Sequence, residues 1–398
     1  MPHPEIVRGV SGGGPSVLIS GARAPVALHL ARLFDGAGWR VVLADTPAKP
    51  LSAASRACAA YFRLPPPRFE PARYGDAVEA LVVRENVSLV VPTCEEVFYL
   101  AHMWRERQPA ALLFAPDIDL LQRVHDKYAF IELCRSLGLA VPHTRLLRGK
   151  DDVLSVRAEA ADLVFKPVWS RFASRVLVHP SRAELDGLSP SPQAPWVAQQ
   201  FLPGEELSVY AVAREGRLAV FSLYRSIYRA GKGAGICFQP LEDERARAFV
   251  ERFVAGTGWT GQISFDLMRM ADGAVLPLEC NPRATSGLHF FRNPKGFVAA
   301  ATGDTGFVER DVARPQTVRL AMWIYGLPAA LRAGGVGRFR RDLNAADELL
   351  DWPGDAAPKR AQWLALGEIA TLALRHGISL QRASTRDIEW DGPDQSSI

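Results

Sequence analysis

The sequence lacks most of the features that would assign it quickly. Its five cysteines, Cys58, Cys94, Cys134, Cys237 and Cys280, are scattered without a Cys-x-x-Cys pair. That pattern argues against a disulfide framework and against a structural zinc site. Net charge is only +4 over 398 residues, which gives no warrant for nucleic-acid binding. No apolar run approaches the ~20 residues that span a bilayer, so no membrane partner is expected. The opening "MPHPEIVRGVSGGGPS" has no charged start followed by an apolar core, as a signal peptide would. It reads as a flexible lead-in, and the expected setting is a reducing cytoplasm. A glycine-rich dinucleotide fingerprint is also missing, since only Gly21 stands in the first turn, and this weakens a nicotinamide enzyme as a reading.

What is present is an ordinary globular composition, 48% hydrophobic and 23% charged, at a length that suits two or three domains. "SVLISGARAPVALHLARLFDGAGWRVVLADT" (16–46) reads as strand, turn, helix, strand. "VSLVVPTCEEVFYLA" (87–101) repeats that logic, so residues 16 to about 115 look like a small doubly wound domain. A helix from Lys127 ends near Gly138. "LVFKPVW" (163–169), "WVAQQFLPGEELSVYAVA" (196–213) and "GRLAVFSLYRS" (216–226) read as strands and turns, and 261–280 as a hairpin turning at Ala271, Asp272 and Gly273. Beyond about 300, helical spacing dominates, and the final "DGPDQSSI" reads as frayed.

The most informative stretch is "LPLECNPRATSGLHFF" (276–291). Side chains on a strand alternate between faces, so Glu279, Asn281 and Arg283 are expected to point the same way. A solvated sheet face would look like this. So would a site where oxygen ligands hold a hard cation beside an anion-binding arginine. The hairpin favours the second reading, because it brings Asp266 across from Glu279. Carboxylate and amide oxygens suit Mg²⁺, which keeps coordination sites for water and phosphate. Lys166, between Phe165 and Pro167, would be costly there without an anionic partner.

In order along the chain, "HDKYAF", "FKP", "QQFLPGEELSV", "SFDLM" and "LECNPR" resemble the motifs of the ATP-grasp ligases, over roughly residues 16–300. The resemblance implies an α/β protein: a doubly wound pre-ATP-grasp domain at 1–115, a small lobe with linking helices at 116–195, a catalytic lobe at 196–300, and a mostly helical region at 301–398. It implies ATP as cofactor, with Mg²⁺, or Mn²⁺ as a substitute. Lys127 and Lys166 would contact the phosphates. Gln199, Gln200 and Leu202 would bind adenine, and Glu206 the ribose. Asp266, Glu279 and Asn281 would hold the metal, and Arg283 would sit by the transferred phosphoryl group. Two features depart from the family pattern. "KPVWSRFASRVLV" has no glycine-rich phosphate loop, leaving Ser170, Arg171, Ser174 and Arg175 as candidates for that work. Gln199 stands where a glutamate is common.

On the substrate side, "LYRSIYRAGKGAGICFQP" (223–240) reads as a mobile loop before a helix starting near Leu241, with Arg225, Arg229 and Lys232 able to bind an acidic substrate. Ser286 and Gly287 are candidate oxyanion donors. His289 is either a base or a packed core histidine. The expected activity is a carboxylate–amine ligase acting through an acyl phosphate on small-molecule acids and amines, amino acids among them, with a homodimer as the candidate assembly. Its rivals are a bicarbonate-activating enzyme of the biotin carboxylase or carbamoyl-phosphate synthetase type and a non-catalytic nucleotide-binding regulator.

Overall fold

A computed structural model of the chain describes residues 14–169, 176–230, 233–304 and 306–392. Ser170, Arg171, Ser174, Arg175 and Lys232, together with the lead-in and most of the tail discussed above, lie outside the described residues. The N-terminal part is a five-stranded parallel sheet of β1 (Ser16–Ser20), β2 (Arg40–Asp45), β3 (Ala60–Arg63), β4 (Val87–Val91) and β5 (Leu112–Leu113), in the order β3-β2-β1-β4-β5. Its central strands are apolar on both faces, as expected of a parallel sheet covered by helices. Gly21 follows β1 at φ +68°, and a side chain there would collide with the Thr93 hydroxyl after β4. Glycine therefore lets the two strand ends close up.

A four-stranded antiparallel sheet follows, with β6 (Thr144–Leu147), β7 (Leu163–Pro167), β8 (Leu177–Val178) and β9 (Trp196–Gln200) in the order β6-β9-β7-β8. The chain leaves β9 and after four residues enters a second, larger sheet. That sheet starts with β10 (Glu205–Arg214), β11 (Arg217–Arg229), β12 (Gly235–Leu241), β13 (Gly261–Arg269) and β14 (Val275–Asn281). It is extended by β15 (Val308–Glu309), β16 (Gln316–Thr317) and β17 (Asp347–Glu348). The path is β14-β13-β10-β11-β12-β16-β17, with β15 beside β11. The region after 300 is thus mostly helical, but its short strands complete the edge of the central sheet.

One expectation is overturned here. Residues 223–240 are not a loop: β11 and β12 form a hairpin whose turn is closed by the Ala230 N–H to the Ala234 carbonyl at 2.8 Å. Gly233 lies in the turn, and Arg225 and Arg229 are carried on β11. The next helix begins at Glu244, not near Leu241.

Helices Ile118–His125 and Lys127–Ser136 connect the N-terminal sheet to the large one. Phe130 packs with Phe253 and Phe265 in the core they share, at ring separations of 5.0–6.1 Å. The C-terminal region also reaches back. Arg32, inside helix Pro25–Gly36, is buried in an ion pair with Asp355 at 2.8 Å, and Ser55 bonds the same carboxylate at 2.6 Å. No helix among the described residues is long and apolar enough to cross a membrane.

Candidate active site

The β13–β14 ladder sets the centre of the site. Asp266 pairs directly with Glu279, and Ser264 with Asn281. The turn between the strands is tight, with the Gly273 N–H bonded to the Met270 carbonyl at 2.9 Å. β14 stops at Asn281, where the Arg283 N–H turns back to the Asn281 carbonyl at 2.8 Å. The strand does not continue through Pro282, yet Arg283 still shares the face: its guanidinium donates to Asn281 Oδ1 at 3.0 Å. Asn281 Nδ2 in turn donates to Asp266 Oδ2 at 3.3 Å, and Ser208 on β10 donates to Asp266 Oδ1 at 2.8 Å.

The two lysines approach from separate elements. Asp126 caps the helix Lys127–Ser136 through the Tyr128 and Ala129 N–H groups. This sets Lys127 on the first helical turn, with its Nζ 3.5 Å from Glu279. Lys166 on β7 donates to Gln199 Oε1 at 2.9 Å and to the Leu278 carbonyl at 3.2 Å. The lysine thereby ties the small sheet to β14. Gln199 is buried, and its other amide atom donates to Thr144 Oγ1 at 3.1 Å. Both side-chain polar atoms thus have protein partners. The Gln200 N–H bonds the His143 carbonyl at 2.8 Å, and Leu202 is buried.

These contacts drive the charges apart. Burial pushes the Lys166 ammonium down to about 8, against the pull of Glu279. Burial alone would raise the Glu279 carboxyl, but Lys127 and Lys166 outweigh it and hold it below the usual range. Asp266 goes the other way, pushed up to about 7 by burial and then by the facing Glu279 and Glu206 carboxylates.

A cavity of about 530 Å³ opens over this ladder. Of the residues singled out from sequence, Lys127, Glu206, Arg229, Asp266, Glu279, Asn281, Arg283 and Ser286 line it. Glu206 and Arg229 form an ion pair across β10 and β11 at 2.6 Å. Lys166, Gln199, Gln200 and Leu202 are not in its wall; they lie on the small-sheet side. Arg225 is not in the wall either, because it bonds Glu205 at 2.6 Å and Gln239. Gly287 is a packing glycine: its carbonyl accepts from Ser222, and a Cβ would come within 2.6 Å of Ser222 and Tyr210. His289 is a core residue, buried against His29 with Nδ1 atoms 3.3 Å apart, and burial holds its imidazole down to about 3.

Sequence reasoning missed the hydroxyls of the wall. Tyr224 donates to Thr285 at 3.2 Å, and Thr285 lies 3.0 Å from Ser264. It also missed the contribution of the N-terminal domain, residues 24–26 and 93–95. Ser208 had a usable signal, standing two residues beyond Glu206 on the same strand face. The N-terminal contribution had none.

A divalent cation fits this donor set. Two carboxylates and an amide converge, and the Asp266 carboxylate accepts from the neutral Ser208 hydroxyl and Asn281 amide. Among the described residues, no group of three His, Cys, Asp or Glu is arranged to hold a metal. Oxygen donors of this kind suit an ion such as Mg²⁺, which takes few protein ligands and keeps water and phosphate oxygens.

A family model described as an ATP-grasp domain matches residues 124–287. No curated protein matches the sequence. Among solved structures, an N5-carboxyaminoimidazole ribonucleotide synthetase in complex with ADP aligns with TM-score 0.61 at 15% identity, over 76% of this chain and 80% of the other. An L-amino acid ligase from Bacillus licheniformis aligns at 0.59 and 16%, over 77% and 80%. The biotin carboxylase domain of a 2-oxoglutarate carboxylase from Hydrogenobacter thermophilus, with MgADP and bicarbonate, aligns at 0.58 and 12%, over 75% and 73%. At these identities the likeness establishes the fold, and the match of the family model lies on the helix, small sheet and β10–β14 described above. Residues 124–287 are an ATP-grasp domain, carried between an N-terminal parallel sheet and a C-terminal region that closes back on it.

Proposed function

We propose that the protein is an ATP-dependent carboxylate–amine ligase. The observation that carries this reading is the convergence, on one ladder, of the facing Asp266 and Glu279, the Lys127 and Lys166 ammonium groups, and the Asn281–Arg283 pair. ATP would lie between the small sheet and β13–β14, its adenine against Gln200 and Leu202 and its phosphates toward Lys127 and Lys166. Gln199 would act behind the nucleotide by holding Lys166, and Glu206 would face the ribose. Asp266, Glu279 and Asn281 would hold Mg²⁺, or Mn²⁺ in its place, which when bound neutralises phosphate charge. A substrate carboxylate oxygen then attacks the γ-phosphorus, the bond to the β–γ bridging oxygen breaks, and ADP leaves. Arg283 offsets the charge of the two anions brought together, and a planar fork suits that task. An amine nitrogen next attacks the acyl carbon, phosphate departs, and the amine proton passes to solvent. The structural neighbours include an L-amino acid ligase, which supports amino acids as a substrate class.

A bicarbonate-activating enzyme is the second reading, supported by the likeness to a biotin carboxylase domain bound to bicarbonate. The deciding experiment is ADP release from ATP and Mg²⁺, screened against amino acids and small carboxylic acids, with bicarbonate tested alone. The ligase reading expects release that needs both an acid and an amine, and its loss in Glu279→Gln. Release with bicarbonate alone would establish the second reading. Tight ATP binding with no release under any condition would leave a nucleotide-binding regulator.

A further inference from the structure

The cavity wall contributed by the N-terminal domain, residues 24–26 and 93–95, is itself held from outside the ATP-grasp domain. After helix Leu380–Ala383 the chain runs across the N-terminal domain. Arg23, next to the first wall segment, bridges Asp45 and Asp387, with contacts of 2.5–2.8 Å to the Asp387 carboxylate and 3.0 Å to the Ser384 carbonyl. Arg68 pairs with Glu389 at 2.8 Å and Asp391 at 2.5 Å. The Tyr99 hydroxyl donates to the Glu389 carbonyl at 2.7 Å. Trp390 is buried, stacked on Phe98 at 5.5 Å, and its backbone N–H donates to Glu95 Oε2 at 3.0 Å. Glu95 lines the cavity. At its far end the segment meets the small lobe, where Gly392 lies against Trp169.

We infer that residues 384–391 are a strap that positions the active site: the Trp390–Glu95 and Asp387–Arg23 links fix the wall that faces the non-nucleotide substrates. The inference rests on the ligase reading for what the wall binds, small-molecule acids and amines. The assigned nucleotide residues stand on other elements, so the strap governs second-substrate affinity more than ATP affinity. Trp390 and Asp387 are positioning residues, acting through Glu95 and Arg23.

The test compares full-length Trp390→Pro, which removes the N–H given to Glu95, with Trp390→Phe, which keeps both the N–H and a ring on Phe98. The first readout is independent of turnover. Cys94 sits in the wall, half-buried, and burial raises its thiol, so it reacts slowly while the wall is fixed. Iodoacetamide labelling of Cys94, followed by mass spectrometry, should be at least fivefold faster in Trp390→Pro than in Trp390→Phe. Asp387→Asn should fall between them and serves if the proline variant fails to fold. Equal Cys94 rates in the folded variants would overturn the strap. The second readout is kinetic: KM for the acid or amine should rise at least tenfold in Trp390→Pro, with KM for ATP within twofold. An equal rise in both would make the segment a general brace and overturn the inference. If the ligase reading itself fails, acid-dependent ADP release is absent from the unaltered protein while the Cys94 difference persists.

Discussion

The two strands of the β13–β14 hairpin carry one carboxylate each at the same ladder position, yet their surroundings have opposite sign. Glu279 faces Lys127 and Lys166 and is held ionised; Asp266 faces Glu206 and Glu279 and is pushed up to about 7. Burial acts on both in the same direction, so neighbours decide the difference. One half of the site is charged in advance, and under the proposed function the other half would reach its working charge when a cation binds.

The sharpest way to break this contrast is Glu279→Gln, which leaves two buried ammonium groups facing an amide. If Glu279 holds the cation as proposed, turnover should fall by about a thousandfold, roughly 4 kcal/mol of barrier, read as phosphate release in a variant whose circular dichroism is unchanged. Near-normal turnover at low Mg²⁺ would remove Glu279 from the metal site. Arg283→Lys should lose about a hundredfold in turnover, ~3 kcal/mol of barrier, while keeping its ATP affinity, because lysine lacks the fork. The reverse outcome, retained turnover with weakened ATP binding, would make Arg283 a ground-state nucleotide contact. Lys166→Ala should weaken ATP binding by roughly 10- to 100-fold, the ~1.5–3 kcal/mol of a charged hydrogen bond; unchanged calorimetry would exclude the contact.

The smallest effects are in pH. If Asp266 holds the cation as proposed, it does so only when ionised, so Mg²⁺ affinity should climb by up to about tenfold per unit as pH rises toward 7 and then level off. Asp266→Asn should flatten that slope. Because the folded pKa of Asp266 is raised, this carboxyl holds its proton in the ligand-free fold between about 4 and 7, where the unfolded chain releases it. The contribution of Asp266 to stability therefore falls as pH rises through that window, while buried His289 contributes in the opposite direction, and Mg²⁺ with ATP should raise Tm more at pH 8 than at pH 6. ATP affinity should weaken above about pH 8, where Lys166 loses its proton.

The hairpin was legible because its signal is local. Alternation fixed the shared face of Glu279 and Asn281, and Asp272–Gly273 fixed the turn that brings Asp266 across. Residues 223–240 were misread because glycine and cation content outweighed the strand-favouring Tyr224, Ile227 and Tyr228 along β11. Gln199 could be named but not oriented, since its partners, Lys166 and Thr144, stand on two other strands. Glu95–Trp390 and Arg32–Asp355 join residues about 300 positions apart, and a contact of that range leaves no periodicity to read.

The Arg32–Asp355 pair also bears on how the protein is made. The parallel sheet leaves the ribosome before the other two sheets, but the carboxylate that neutralises its buried guanidinium follows 323 residues later. At about 5–20 residues per second, that is a delay of roughly 16–65 s. For that interval helix Pro25–Gly36 must leave Arg32 in water or wait with the charge unpaired, so the parallel sheet, though made before the other two sheets, is among the last to reach its final packing. Ribosome-bound chains halted before Asp355 should accordingly be cut within the first domain by a protease that leaves the finished protein intact.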